Sequence, residues 1–389
     1  MRLASTIALV LLLAIGQSPA RAQDGSPAAP ATDTAADDPA ARQSPWGRSN
    51  IDLDHDDRLY ATSSASGSVA VVDPSNDRLL GTIPLGRSLV SNRSRSQDAI
   101  RSARRLAYSP DGRTLAVVSG GARAVSFVDT GTNQIVHVAS YDAAPEGASY
   151  SPDGREVWIP IKSGRYLSIL DGRSFSEISR IRTASDPGMT IFSNDGRRAF
   201  VCSRSGLEIV DVRKRKVVAS VPYAATACSS IAASPDGRQI WVTSEEAATA
   251  ISAKPPFHVV KAVPTGHGTQ ALNFVSSDAG QFAYVTVGGR QSAVKVIDTQ
   301  SFETVATIPL KVTPSGIWPS GDGSRIYVGS SSDDAVVVID AANMRVTETL
   351  EVGSRTDAVA FVPYAGRRSR RAGPAPLPSP VLEPEASAR

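Results

Sequence analysis

Ser109-Pro110-Asp111-Gly112-Arg113 returns as Ser151-Pro152-Asp153-Gly154-Arg155, as Ser193-Asn194-Asp195-Gly196-Arg197 and as Ser234-Pro235-Asp236-Gly237-Arg238. Degraded copies stand at Ser277-Asp278-Ala279-Gly280 and Ser320-Gly321-Asp322-Gly323. The serines are spaced by 42, 42, 41, 43 and 43 residues. A steady period of this length marks a repeat architecture. Each copy has the chemistry of a hairpin turn: Pro presets one backbone angle, Asp bonds its own backbone, and Gly accepts positive φ. A short β-rich run follows each copy, at residues 115–118, 157–159, 199–202, 240–243, 282–286 and 326–329. A seventh, 59–62, follows Asp56-Asp57.

Most of these runs lead through a polar turn into a second apolar strand ending in Asp, as at 69–73, 125–129, 167–171, 207–211, 294–298 and 336–340. Another strand follows, as at 80–83, 217–221, 305–308 and 346–350. With no helical period, this gives four short antiparallel strands per unit. The fold class is therefore all-β, a seven-bladed β-propeller. The strand before each turn carries small residues (Ala107, Gly147-Ala148, Gly188, Ala232-Ala233, Gly316), as a tapering inner strand requires. The first unit has outer strands, and the segment 357–362 reads as an inner strand with none after it. We expect this C-terminal strand to close the ring and remove a sheet edge. Residues 51–54 are the rival inner strand. The fifth blade departs from the pattern: 249–257 lacks the strand-end Asp and gains Pro255-Pro256. Pro in a strand marks an edge or a break, so that outer region is expected to be irregular.

Phe282-Ala283-Tyr284-Val285-Thr286, Ile326-Tyr327-Val328-Gly329, Ile240-Trp241-Val242-Thr243 and Leu59-Tyr60-Ala61-Thr62 resemble the YVTN-type β-propeller repeat. Val294-Lys295-Val296-Ile297-Asp298 and Val305-Ala306-Thr307-Ile308-Pro309 fit the same family pattern. The resemblance covers about residues 57–363 and implies the fold. The family's wider relatives include exported binding propellers, accessory proteins of periplasmic quinoprotein oxidation systems, haem- or copper-associated reductases and lactonase-like hydrolases. A fold hosts many functions, so it does not choose among these.

The ends read differently from the body. Arg2, the apolar run 7–15 and Ala20-Arg21-Ala22 read as a cleavable signal peptide, 1–22. The run is short for a membrane span, and no later stretch is long and apolar enough to be one. The Ala/Pro-rich segment 23–46 reads as a disordered linker, leaving 47–365 for the propeller. Segment 366–389, with Arg367, Arg368, Arg370 and Arg371 and many prolines, reads as a disordered tail. It is either solvated or able to touch an acidic partner or lipid headgroups. These features predict a periplasmic or extracellular protein, which we expect to be a monomer. Export permits a disulfide between Cys202 and Cys228; two buried thiols are the alternative.

A formal net charge of +3 does not suggest a nucleic-acid binder. The chain has four histidines, none paired at metal-ligand spacing, and no nucleophile elbow. We expect no metal, no cofactor and no catalytic residue. Gly266-His267-Gly268-Thr269-Gln270-Ala271 matches a dinucleotide pattern formally, but a strand follows where a helix start is needed. The acidic run 52–57 reads as a turn, and the repeated strand-end Asp residues as turn organisers. The longest loop on the face of the blade-to-blade connections is an Arg-rich insert, 87–105. It contains Arg87, Arg93, Arg95, Arg101, Arg104 and Arg105, which could grip an anion. The same face carries Glu146, Asp186, His267, Arg355 and Asp357 around a central funnel. The sequence thus predicts a non-catalytic binding scaffold for another exported protein or an anionic ligand. An accessory role in a periplasmic oxidation system is among those the resemblance implies. The alternative is a lactonase-like hydrolase using Glu146, His267 and Arg355.

Overall fold

The computed structural model describes residues 57–85, 103–223, 228–277, 280–353 and 355–365. Segments 1–22, 23–46, 51–54 and 366–389 lie outside the described residues, as do Arg87, Arg93, Arg95 and Arg101. The described chain forms seven four-stranded antiparallel sheets. The inner strands are Ala358–Val362 in blade 1, Ala103–Tyr108 in blade 2 and Ser149–Tyr150 in blade 3. Pro187–Phe192 serves blade 4, Ser230–Ala233 blade 5, Thr269–Ser277 blade 6 and Pro314–Pro319 blade 7. Each inner strand touches the next, and the last returns to the first, so the blades form a ring. The ring is a β-propeller, closed by the C-terminal strand: Tyr60 of Arg58–Ser63 pairs with Ala360.

The repeat works through its serine. In blade 2 the Ser109 hydroxyl donates to Asp111 at 2.6 Å and accepts from the Thr114 N–H at 2.9 Å. The same pair of bonds forms at Ser151, Ser193, Ser234 and Ser320. Gly112 holds φ +70°, and a Cβ there would strike the Pro363 carbonyl just beyond the closing strand. Gly112→Ala is expected to cost about 1–2 kcal/mol for the left-handed backbone, plus the clash. Gly266→Ala, at φ +98° with nothing within 4 Å, carries only the backbone penalty. Thermal unfolding of both variants checks this: equal losses would remove the role given to the Pro363 contact.

Seven apolar clusters each join two neighbouring blades. The second and third strands are sandwiched on both faces, which is why they read as near-continuous apolar runs. Around the rim, the turn between third and outer strands sends one residue into the preceding blade. Phe175 stacks on Phe127 at 4.1 Å and Phe302 on Trp241 at 5.9 Å. Asn133 accepts from the Tyr60 hydroxyl at 3.4 Å, and the Ala341 carbonyl from Tyr284 at 3.0 Å. Arg215 pairs with Glu156, and Asp77 with Arg325 at 3.0 Å. Asp77, Asn133, Phe175, Arg215 and Phe302 hold φ between 52° and 61°. Left-handed non-glycine residues are strained, and here the contact with the preceding blade offsets the strain.

Blade 5 is not irregular. Ala247–Ser252 keeps full register with Gln239–Thr243 and pairs with Val259–Pro264. The strand ends at Ser252, so Pro255 and Pro256 fall in the following turn, where no ladder N–H is needed. That turn presents Phe257 to Phe200 of blade 4, ring centroids 6.5 Å apart. Every outer strand carries a one-residue register shift at the same place. Such bulges interrupt the exposed edges against strand addition.

Asp77 and Arg325 lie at the seam between blades 1 and 7. Burial pushes the Asp77 carboxyl up to about 6, against the pull of Arg325 and with help from Glu348. A raised carboxyl holds its proton more tightly when folded. Its contribution is therefore full below the ordinary value of 3.8 and is lost as pH rises through about 6. Urea midpoints of Asp77→Asn measured from pH 4 to 7 should decline less with pH than those of the unmodified protein. Parallel curves would contradict this account of the seam.

Candidate functional site

The inner strands start on the face that carries the blade-to-blade connections. Between them lies a cavity of about 760 Å³ lined from blades 1, 2, 4, 5, 6 and 7. The small residues foreseen for these strands leave this space. Trp318 lines it, its ring 5.9 Å from that of Tyr108.

Arg105 dominates the cavity. It belongs to the inner strand Ala103–Tyr108, not to the loop before it, so the predicted insert 87–105 ends too late. The reason is local: Arg105 pairs with Val118 of the second strand, and its side chain projects into the channel. Its Nη2 crosses from blade 2 to donate to the Ser229 carbonyl leading into blade 5, at 3.2 Å. Those blades stand three apart in a ring of seven, so the guanidinium reaches across part of the channel. Enclosure by protein lowers its pKa from the usual guanidinium value; Glu146 opposes this, Arg104 adds to it, and Asp357 opposes it. Arginine still remains charged.

The other nominated residues divide into two groups. Asp357 and Glu245 line the cavity with Arg105. Asp357 is held by the closing seam: its Oδ2 accepts from the Ser64 N–H at 2.9 Å, and its own N–H donates to Thr62 at 3.0 Å. Glu146, Asp186, His267 and Arg355 do not line the cavity. Glu146 pairs with Lys162 at 3.2 Å, Asp186 with Arg165 at 3.7 Å, and His267 lies 3.4 Å from Glu245. Arg355 is exposed. The trio Glu146, His267 and Arg355 is therefore not gathered around the cavity.

Sequence reasoning missed Asn273, Gln270 and Trp318 in the lining. Glu208 was missed as well. It is 1 % exposed, accepts from the Ala184 N–H at 3.0 Å, and so supports the connection that carries Asp186. Burial raises its pKa. The strand-end aspartates organise turns: Asp171 accepts from the Ser174 N–H and Asp298 from the Ser301 N–H. Gly266 to Ala271 leads into the strand Thr269–Ser277, so no helix start faces this glycine pair. Cys202, in the second strand of blade 4, is bonded to Cys228, with Cα atoms 6.0 Å apart. Among the described residues no group of three or more His, Cys, Asp or Glu is placed to hold a metal. No helix among them is long and apolar enough to cross a membrane.

No family model matches the sequence, and no curated protein matches it. Solved structures do. A Kuenenia stuttgartiensis hydrazine synthase chain aligns with a TM-score of 0.61 at 18% identity, over 71% of this chain and 96% of that one. The dihydro-heme d1 dehydrogenase NirN in complex with DHE aligns with a TM-score of 0.57 at 16% identity, over 79% and 75%. A functionally unknown protein from Desulfotomaculum acetoxidans DSM 771 aligns with a TM-score of 0.64 at 13% identity, over 78% and 98%. At these identities the likeness is one of fold.

Proposed function

We propose that this chain is an exported, YVTN-type propeller that acts as a non-catalytic binding module through the funnel and the face around it. One observation carries the reading: a half-buried, charged guanidinium lines a cavity of about 760 Å³ and makes one hydrogen bond among the described residues. Ligand sites are concave, mostly apolar and supplied with a few placed polar groups. Periplasmic location and service to an oxidation system belong to the same proposal. A synthase and a dehydrogenase among the structurally similar propellers give it its motive.

Affinity capture from the native exported fraction tests it. The unmodified protein, a form lacking residues 87–101 and Arg105→Met should be compared. The deletion stops before Ala103 because that residue begins a strand. A specific partner or ligand lost with either change supports the module. Identical capture by all three forms removes the funnel face from the account.

A further inference from the structure

Three charged groups line the funnel without neutralising one another. Arg105 has five N–H donors and, among the described residues, one bond, to Ser229. Asp357 uses one oxygen for Ser64, and among the described residues Glu245 has His267 beside it as its cationic partner. Neither carboxylate forms an ion pair with Arg105, though the charge of Glu146 and, less strongly, that of Asp357 act on it. Arg105 and Asp357 are half-buried and Glu245 is exposed; charges withdrawn from water are ordinarily paired. A guanidinium in this state is a fork for two carboxylate oxygens.

The ligand must suit both signs. A plain anion on Arg105 meets two carboxylates, and a plain cation leaves the guanidinium unsatisfied. A molecule carrying both charges satisfies the set. The walls between them carry Leu106, Met189 and Ile191 beside the polar Gln270 and Asn273. We infer that the funnel receives a small zwitterion of the amino-acid class with an apolar side chain, its carboxylate on Arg105 and its ammonium facing Asp357 and Glu245. This rests on the binding-module reading and names the ligand class of that site.

Calorimetric titration with three probes of one apolar body tests it: L-leucine, 4-methylpentanoate and 3-methylbutylamine. The unmodified protein should bind leucine at least about tenfold more tightly than either singly charged analogue, since each lacks one charge-assisted bond. Arg105→Met should lose leucine binding, and Asp357→Asn should weaken it by about tenfold. The probe comparison needs no variant, so a misfolded mutant does not shelter the inference. Equal binding of 4-methylpentanoate and leucine overturns it, as does binding of none of the three. A partner still captured by a protein that ignores all three probes leaves the module standing and removes the zwitterion alone.

Discussion

A chain ending at Thr356 should fail to form the cooperative native ring. It loses the whole inner strand of blade 1, Ala358–Val362. All five residues are buried, and Ala360 and Val362 are fully enclosed. Val359 and Phe361 belong to the cluster between blades 7 and 1, Ala360 and Val362 to that between blades 1 and 2. Burying a Val or Phe side chain contributes about 1.5–3 kcal/mol, so three such losses approach a typical domain stability of about 5–15 kcal/mol. The truncation also exposes the Arg58–Ser63 edge and removes the Tyr364 N–H bond to Asp57. Near-ultraviolet circular dichroism with a thermal melt reads the outcome. A sharp transition at the unmodified temperature would show that blade 1 is stable without the chain's end.

The second large effect belongs to the disulfide. Replacing Cys202 and Cys228 together by Ala should lower stability by about 3 kcal/mol, from the loop-closure entropy that the bond removes from the unfolded chain. The bond spans 26 residues of sequence and ties blade 4 to the approach of blade 5. The melting temperature should fall by roughly 5 °C for a chain of this size. A reducing agent should reproduce the shift in the unmodified protein and leave the double variant unchanged. An unshifted melt would mean that the bond constrains nothing the fold does not already hold.

The blade count and closure were legible because turn chemistry repeats by residue type. Ser109 and its counterparts make the same bonds in blade after blade, so the same letters return. The rim contacts were not legible, because Asp77, Asn133, Phe175, Arg215, Phe302 and Met344 share a backbone conformation and no side-chain chemistry. Blade 5 was misread because Pro255 and Pro256 were counted into a strand that stops at Ser252. Arg105 was assigned to a loop because two adjacent arginines mask a strand whose apolar period is weak; facing a channel, it needs none. Glu146, Asp186, His267 and Arg355 lie in blade-to-blade connections, but a shared kind of loop does not make side chains converge. Lys162, Arg165 and Glu245 occupy three of them instead.

Arg105 is either a strut across the channel or a group held ready for a ligand, and equilibrium unfolding of Arg105→Met separates the two. A strut would contribute its bond to Ser229 and its packing. A guanidinium retained for binding carries an enclosed charge that the protein leaves under-satisfied, and such sites lower stability. If the funnel is the binding site, the urea midpoint of Arg105→Met equals or exceeds that of the unmodified protein. A fall in stability of about 2–3 kcal/mol, as for loss of a buried charged hydrogen bond, would make Arg105 structural and contradict the funnel as the site of function.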